Sequence, residues 1–213
     1  MLFSDVTTRP IFPTPLIIAS FPPDIAASIN GSLIPMLLKK AATEKSAQIT
    51  NIGGWQSDTR IVEWGGEPVA TIVGSLRDLI DQVTLDLHGA PLQSSLDWKI
   101  YGWANINRKG HMNVVHTHPG AYWSASYYVQ VDDTQQEPPV GGEFQILDPR
   151  GALPITYRPH LRIGLEGYQS CGGHELITPK AGQCLLFPSW LPHAVLPYNG
   201  DGTRISLAFN FSV

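Results

Sequence analysis

From Pro68 to Leu87 the apolar residues Val69, Ile72, Val73, Leu76, Leu79, Ile80, Val83 and Leu87 recur at steps of three and four, which lines them along one face of a helix. Pro68 suits the first helical turn and Gly89 the stop. A stripe this long needs a large apolar partner, either the outer face of a sheet in the same chain or a second copy in a homodimer. Earlier, Ile25, Ile29, Leu33, Leu37 and Leu38 follow the same spacing between Asp24 and Lys40, but Gly31 and Pro35 predict a kinked or broken helix there. From Asp97 onward the pattern changes to short runs bounded by turn residues, namely WKIYGWANI, MNVVH, WSASYYVQV, GEFQILD, HELITP, GQCLLFP and RISLAFNFSV. Some seven strands without intervening helices predict a mainly β fold, a sandwich or barrel. The reading is one domain over residues 1–213, with a helical and irregular portion over 1–96 packed outside a β core over 97–213.

Composition supports a single sizeable core: 213 residues, 43% hydrophobic and 15% charged. The 18 prolines and 20 glycines fit many turns between short strands. A net charge of -4 with unclustered Lys and Arg excludes a nucleic-acid or anionic-membrane footprint. Cys171 and Cys184 are the only cysteines, the start MLFSDVTTRP lacks a basic then apolar leader, and no run approaches 18 apolar residues. These features predict a reduced, cytoplasmic setting without a membrane span.

The candidate chemistry begins at VVHTHPG. In His116-Thr117-His118 the strand period of two sends both imidazoles to one face, where they can grip one metal ion together. A solvent-facing or hydrogen-bonded histidine pair has the same pattern. Further along, the apolar run Cys184 to Phe187 suits a strand covered on both faces, and the Pro-rich turn after it delivers His193. Arg204 and Ser206 follow eleven and thirteen positions beyond His193 and share one face of the last strand.

His-x-His, a distal histidine and Arg-x-Ser one strand later resemble the non-haem iron, 2-oxoglutarate-dependent dioxygenases. More narrowly, GGWQS at Gly53 to Ser57, HTHPGAYWSASYYV, GGEFQILDP and LFPSWLPHAVLPYNGDGTRISLAFNF are similar to a bacterial and phage family of 2-oxoglutarate/Fe(II) oxygenases in the prolyl-hydroxylase-like superfamily. The resemblance implies a double-stranded β-helix, the jelly-roll and cupin-like architecture, and an oxygenase of hydroxylase type acting with O2 on a small-molecule or otherwise unknown substrate. It makes His116, His118 and His193 the Fe(II) ligands, with no catalytic residue beyond them. Arg204 becomes the clamp on the distal carboxylate of 2-oxoglutarate, assisted by Ser206, and Asn105, Asn107 and Tyr127 become side chains touching that co-substrate. Trp55 and Gln56 of GGWQS become a substrate wall.

The chain departs from the wider superfamily where His118 replaces a carboxylate ligand. Three imidazoles with an open position also describe a zinc site, so iron and zinc both remain open. Glu143 either supplements the site or ends a strand. Gly110, five residues, His116-x-His118, then Gly182, five residues, Pro188 and His193 also resemble the cupin motif, whose glutamate is missing near Tyr122 and Trp123. The alternatives are therefore a cupin-like three-histidine metalloenzyme without 2-oxoglutarate, or a jelly-roll binding module. Arg204 separates them, because a diacid needs it and a cupin does not; its ordinary alternative is an ion pair with a loop carboxylate such as Asp201.

Overall fold

The computed structural model describes residues 5, 7, 11–131, 140–151, 158, 160, 164–165, 168–169 and 173–213. Cys171 lies outside the described residues. The elements in chain order are β1 (Ile17–Ser20), α1 (Pro23–Thr43), β2 (Asn51–Ile52), β3 (Trp55–Gln56), α2 (Ile61–Trp64), α3 (Gly66–Val83), β4 (Lys99–Asn107), β5 (Met112–His116), β6 (Trp123–Gln130), β7 (Phe144–Leu147), β8 (Gly164–Leu165), β9 (Tyr168–Gln169), β10 (His174–Ile177), β11 (Gln183–Pro188), β12 (His193–Val195) and β13 (Arg204–Ser212). A six-stranded sheet, β1-β11-β6-β13-β4-β3, lies against a five-stranded one, β10-β7-β12-β5-β2. All strand pairs are antiparallel. The chain crosses between the two sheets at β4, β5 and β6 and again at β10, β11, β12 and β13, as in a double-stranded β-helix, but the sheets keep open edges and form no closed barrel.

Strand parity divides the six-stranded sheet into two chemically different faces. Ile205, Leu207, Phe209 and Phe211 of β13 share one apolar core with Ala104 and Ile106 of β4, Trp123, Ala125, Tyr127 and Val129 of β6, and the buried stripes of α1 and α3. The alternate residues of the same strands look toward the five-stranded sheet, where Tyr128, Leu185 and Phe187 meet Phe144 and Leu191 in a smaller cluster. The helices thus form a third layer on the outside of the larger sheet, as the apolar spacing predicts.

In α3, Val69, Ile72, Leu76 and Ile80 are buried and Val73, Leu79 and Val83 pack against the same core. The stripe is therefore covered within the chain, not by a second copy. Leu87 is the exception: the helix stops at Val83 and Leu87 is 101% exposed. Thr84 makes the stop, its backbone N–H and its hydroxyl both donating to the Ile80 carbonyl at 2.9 and 2.7 Å while Trp123 Nε1 donates to that hydroxyl at 3.0 Å. Of the expected kink or break in α1 the structure shows no break: the helix runs through Gly31 and Pro35 as one element. Both residues face solvent, so the backbone bond that proline forfeits opens toward water instead of into the core. Strand β1, which the spacing did not announce, pairs along the β11 edge from Ile17↔Leu186 to Ser20↔Gln183.

Truncating the stripe where it is fully buried should be costly. Leu76→Ala is expected to lose about 2 to 5 kcal/mol of unfolding free energy in equilibrium denaturation, whereas Leu87→Ala should stay within about 0.5 kcal/mol of wild type.

Candidate metal centre

Three histidines meet between the sheets. His116 ends β5, His193 begins β12, and the two are direct partners across that strand pair. His118 lies two residues past β5 and is held by its own N–H donating to the Ser189 carbonyl at 2.9 Å. One ligating nitrogen from each of His116, His118 and His193 falls within 4.8 Å of the others. The ring centroids are 4.9, 4.4 and 5.0 Å apart for the pairs 116–118, 116–193 and 118–193. His116 Nδ1 donates to the Val114 carbonyl at 2.7 Å and His193 Nδ1 to the Leu191 carbonyl at 2.8 Å. A carbonyl only accepts, so the proton sits on Nδ1 in both rings and the lone pair on Nε2.

Burial keeps all three rings neutral. His193, stacked on Phe144 at 5.1 Å and met edge-on by Phe187 at 4.8 Å, is pushed down to about 3, by desolvation first and then by the neighbouring His116. His118 falls to about 4, by desolvation and then by His116. His116 is lowered by burial as well. Neutral imidazoles, two of them with fixed tautomers, whose nitrogens come together are the ligand form a divalent ion requires.

The inner face of the larger sheet supplies the surroundings. Arg204 is only 2% exposed. Its Nε donates to the Gly142 carbonyl at 3.1 Å, its Nη1 to Ser206 Oγ at 3.3 Å, and its guanidinium lies 5.2 Å from the Tyr128 ring centre. Among the described residues no carboxylate pairs with it: Asp201 instead accepts from Lys109 at 3.1 Å on the surface. Burial lowers the Arg204 pKa, yet a guanidinium stays charged in proteins. A buried cation whose hydrogen-bond partners are all neutral, with Glu143 acting on it only electrostatically, is expensive unless an anion completes it. Around it Asn105 Oδ1 and Asn107 Nδ2 are buried without a hydrogen-bond partner, as expected of groups that line a polar ligand's place, and the Tyr128 hydroxyl faces Arg204 and Ser126. Pairing of Arg204 with Asn107 and of Ser206 with Asn105 and Tyr128 puts these side chains on one face.

Part of this inner face is open to solvent. Along the middle of β13 and β6 only Ala208 and Ser126, which are register partners, keep some solvent access, as does Trp103 beside them on β4. Trp103 stands 5.6 Å from the His118 ring, and Tyr101 stacks on it at 6.3 Å toward the surface. The small floor and the aromatic wall make a well that descends to the histidines.

Several expected residues lie elsewhere. Tyr127 faces the helices, its hydroxyl donating to Asn30 Oδ1 at 2.7 Å; its neighbour Tyr128 is the one on the site face. Trp55 also packs on the helical side, with Nε1 donating to the Glu44 carbonyl at 3.1 Å, while Gln56 pairs with Asn105 and shares its face. Glu143 is not among the grouped ligands and precedes β7, its carbonyl accepting from Leu196 at 3.0 Å. Trp103, Tyr128 and Asn210 also belong to this face: parity along β13 forward from Arg204 identifies Asn210, whereas Trp103 and Tyr128 follow only from the register of β4 and β6 with β13.

The lowered histidine pKa values set a sign. Protons bind the unfolded histidines near their ordinary 6.5 but the folded His118 and His193 only near 4 and 3, so the metal-free protein should be stable above about pH 6.5 and lose stability as pH falls from there. Urea titrations between pH 7 and 4 should show a steeper loss in wild type than in the His118→Gln, His193→Gln double variant.

A family profile described as "Putative 2OG-Fe(II) oxygenase" matches residues 101–210. Among solved structures, a Pseudomonas putida prolyl-4-hydroxylase superposes with a TM-score of 0.61 at 17% identity, covering 93% of this chain and 92% of that one. A Trichoplax adhaerens prolyl hydroxylase in complex with a hypoxia-inducible-factor peptide gives 0.63 at 13%, covering 92% and 83%. HygX from Streptomyces hygroscopicus, with nickel and 2-oxoglutarate bound, gives 0.56 at 12%, covering 93% and 83%. No curated protein sequence matches the chain. Identities this low speak to the fold.

Proposed function

The chain belongs to the 2-oxoglutarate/Fe(II) oxygenase family, and from that premise we propose that His116, His118 and His193 hold Fe(II) through their converging nitrogens while Arg204 and Ser206 receive the far carboxylate of 2-oxoglutarate. The observation that carries this reading is the buried, carboxylate-free guanidinium on the same inner face as the well beneath the histidines. The donor set fits both groups: three neutral nitrogens for the ion, and for the diacid a planar fork beside a hydroxyl that accepts from Arg204 and keeps its own proton to donate. Asn105 and Asn107 continue the polar lining on β4, and Gln56 extends it on β3. Tyr128, not Tyr127, is the tyrosine in reach of Arg204.

Bound Fe(II) and 2-oxoglutarate supply the chemistry, activating O2 for oxidation of a C–H bond while the co-substrate is consumed as succinate and CO2. The chain's own residues do the rest. Phe144, Phe187 and Leu191 wall His193 off from water on one side, which protects a reactive centre from quenching. The Val114 and Leu191 carbonyls fix the tautomers of two ligands. Trp103 and the Ala208–Ser126 floor leave the route by which a small-molecule substrate approaches. No helix among the described residues is long and apolar enough to cross a membrane; a cytoplasmic location suits both Fe(II) and the unpaired, buried Cys184.

A cupin-like enzyme without 2-oxoglutarate would leave Arg204 unexplained, and that residue gives the test. Removing the charge should cost on the order of 2 to 5 kcal/mol of diacid binding, so 2-oxoglutarate affinity should fall from wild type through Arg204→Lys to Arg204→Met, with metal content unchanged. Addition of 2-oxoglutarate should raise the Tm of the metal-loaded wild type and leave that of Arg204→Met unmoved. Equal binding by Arg204→Met, or none by wild type, moves the assignment to the cupin-like alternative.

A further inference from the structure

Charge carries the reading of the centre one step further, to the substrate. All three grouped ligands are neutral imidazoles, so a bound Fe(II) keeps both of its charges, and Arg204 adds a third. The 2-oxoglutarate dianion cancels two of these and leaves one positive charge over. In most of the wider superfamily a carboxylate at the His118 place would remove it. Nothing on the larger sheet does so here: among the described residues the inner faces of β3, β4, β6, β11 and β13 carry no acid, and their charged side chain besides Arg204 is the exposed Lys99 at the outer end of β4, which adds to the positive side. On the smaller sheet Glu143 acts on Arg204 electrostatically without an ion pair, Asp148 just past β7 is paired with Arg150, and Glu175 is exposed on the edge strand β10.

A second, independent feature lies on the far side of the well from Arg204. Asn210 is 1% exposed, its Oδ1 accepts from Ser124 Oγ at 2.6 Å, and its Nδ2 has no partner. It sits two positions along β13 from the half-open Ala208 and opposite Tyr101. It therefore offers a donor that 2-oxoglutarate, reaching toward Arg204, does not use. Resting on the proposed metal and co-substrate sites, we propose that the substrate of this oxygenase is a carboxylate, its acidic group received at the Asn210 side of the well. A single surplus charge matches a monoanion better than a phosphate dianion.

The test uses Ni(II) as a redox-silent stand-in for iron, saturating 2-oxoglutarate, and the isosteric pair acetate and acetamide as probes. Broadening of the probe's methyl proton signal by the paramagnetic ion reports binding near the centre without turnover. Acetate should bind about tenfold more tightly than acetamide, a preference within what one charge at close range supplies. Asn210→Asp keeps the shape and the Ser124 bond but adds a negative charge; it should erase the preference while Ni(II) content and 2-oxoglutarate affinity stay at wild type. Asn210→Ala, should the aspartate variant not fold, should weaken acetate several-fold. Equal or tighter binding of acetamide by protein that holds both Ni(II) and 2-oxoglutarate overturns this inference alone, as does an acetate affinity untouched in both variants. Protein that takes up neither metal nor 2-oxoglutarate overturns the reading of the centre, and this inference with it.

Discussion

The site depends on the parity of one strand. In β13 the residues Ile205, Leu207, Phe209 and Phe211 turn to the helices, and Arg204, Ser206, Ala208 and Asn210 turn to the space between the sheets. The register with β4 holds this division over the whole strand, and that with β6 holds it from Ser206 on, after a shift between Ile205 and Ser206. A slip of one residue would drive a guanidinium and two other polar groups into the helical core and bring four large apolar side chains into the site. The helices α1 and α3 enforce the register by supplying much of the surface against which the apolar face is buried. Their distance from the chemistry does not make them incidental.

The same division explains why the interior is so polar on one side. A face lined by amides, hydroxyls and a lone buried cation contributes little to stability and contains groups without partners, which a folded protein tolerates where a ligand completes them. The histidines follow the same logic. Burial that makes them hard to protonate holds them in the form that binds metal, at the expense of stability in acid.

Much of this was legible in the amino-acid order because it is written in periods. The two-residue step of His116 and His118, the strand before His193 and the Arg204–Ser206 step each indicate a face, and the structure gathers those residues around one space. Tyr127 and Trp55 show where that reasoning loses its footing. Tyr127 lies between Ser126 and Tyr128 on a strand covered on both faces, and Trp55 on the two-residue edge strand β3 between Gly54 and Gln56, so local alternation does not say which residue looks which way. Only the long-range register with β13 decides it. Helix α1 and Leu87 erred for a different reason: Pro35 lies on the solvent side, where its missing donor costs little, and Thr84 ends α3 before the apolar stripe runs out. Strand β1 was hidden because it is four residues long and owes its existence to the β11 edge.

The central claim is that one space between the sheets binds a metal on three neutral histidines and a diacid reaching from that metal to Arg204. An anaerobic crystal structure of the protein with Fe(II) and 2-oxoglutarate addresses it most directly. The account predicts one ion on His116, His118 and His193, with the far carboxylate on the guanidinium of Arg204 and the hydroxyl of Ser206. A metal held elsewhere, or a diacid whose far end leaves Arg204 without a contact, would contradict it.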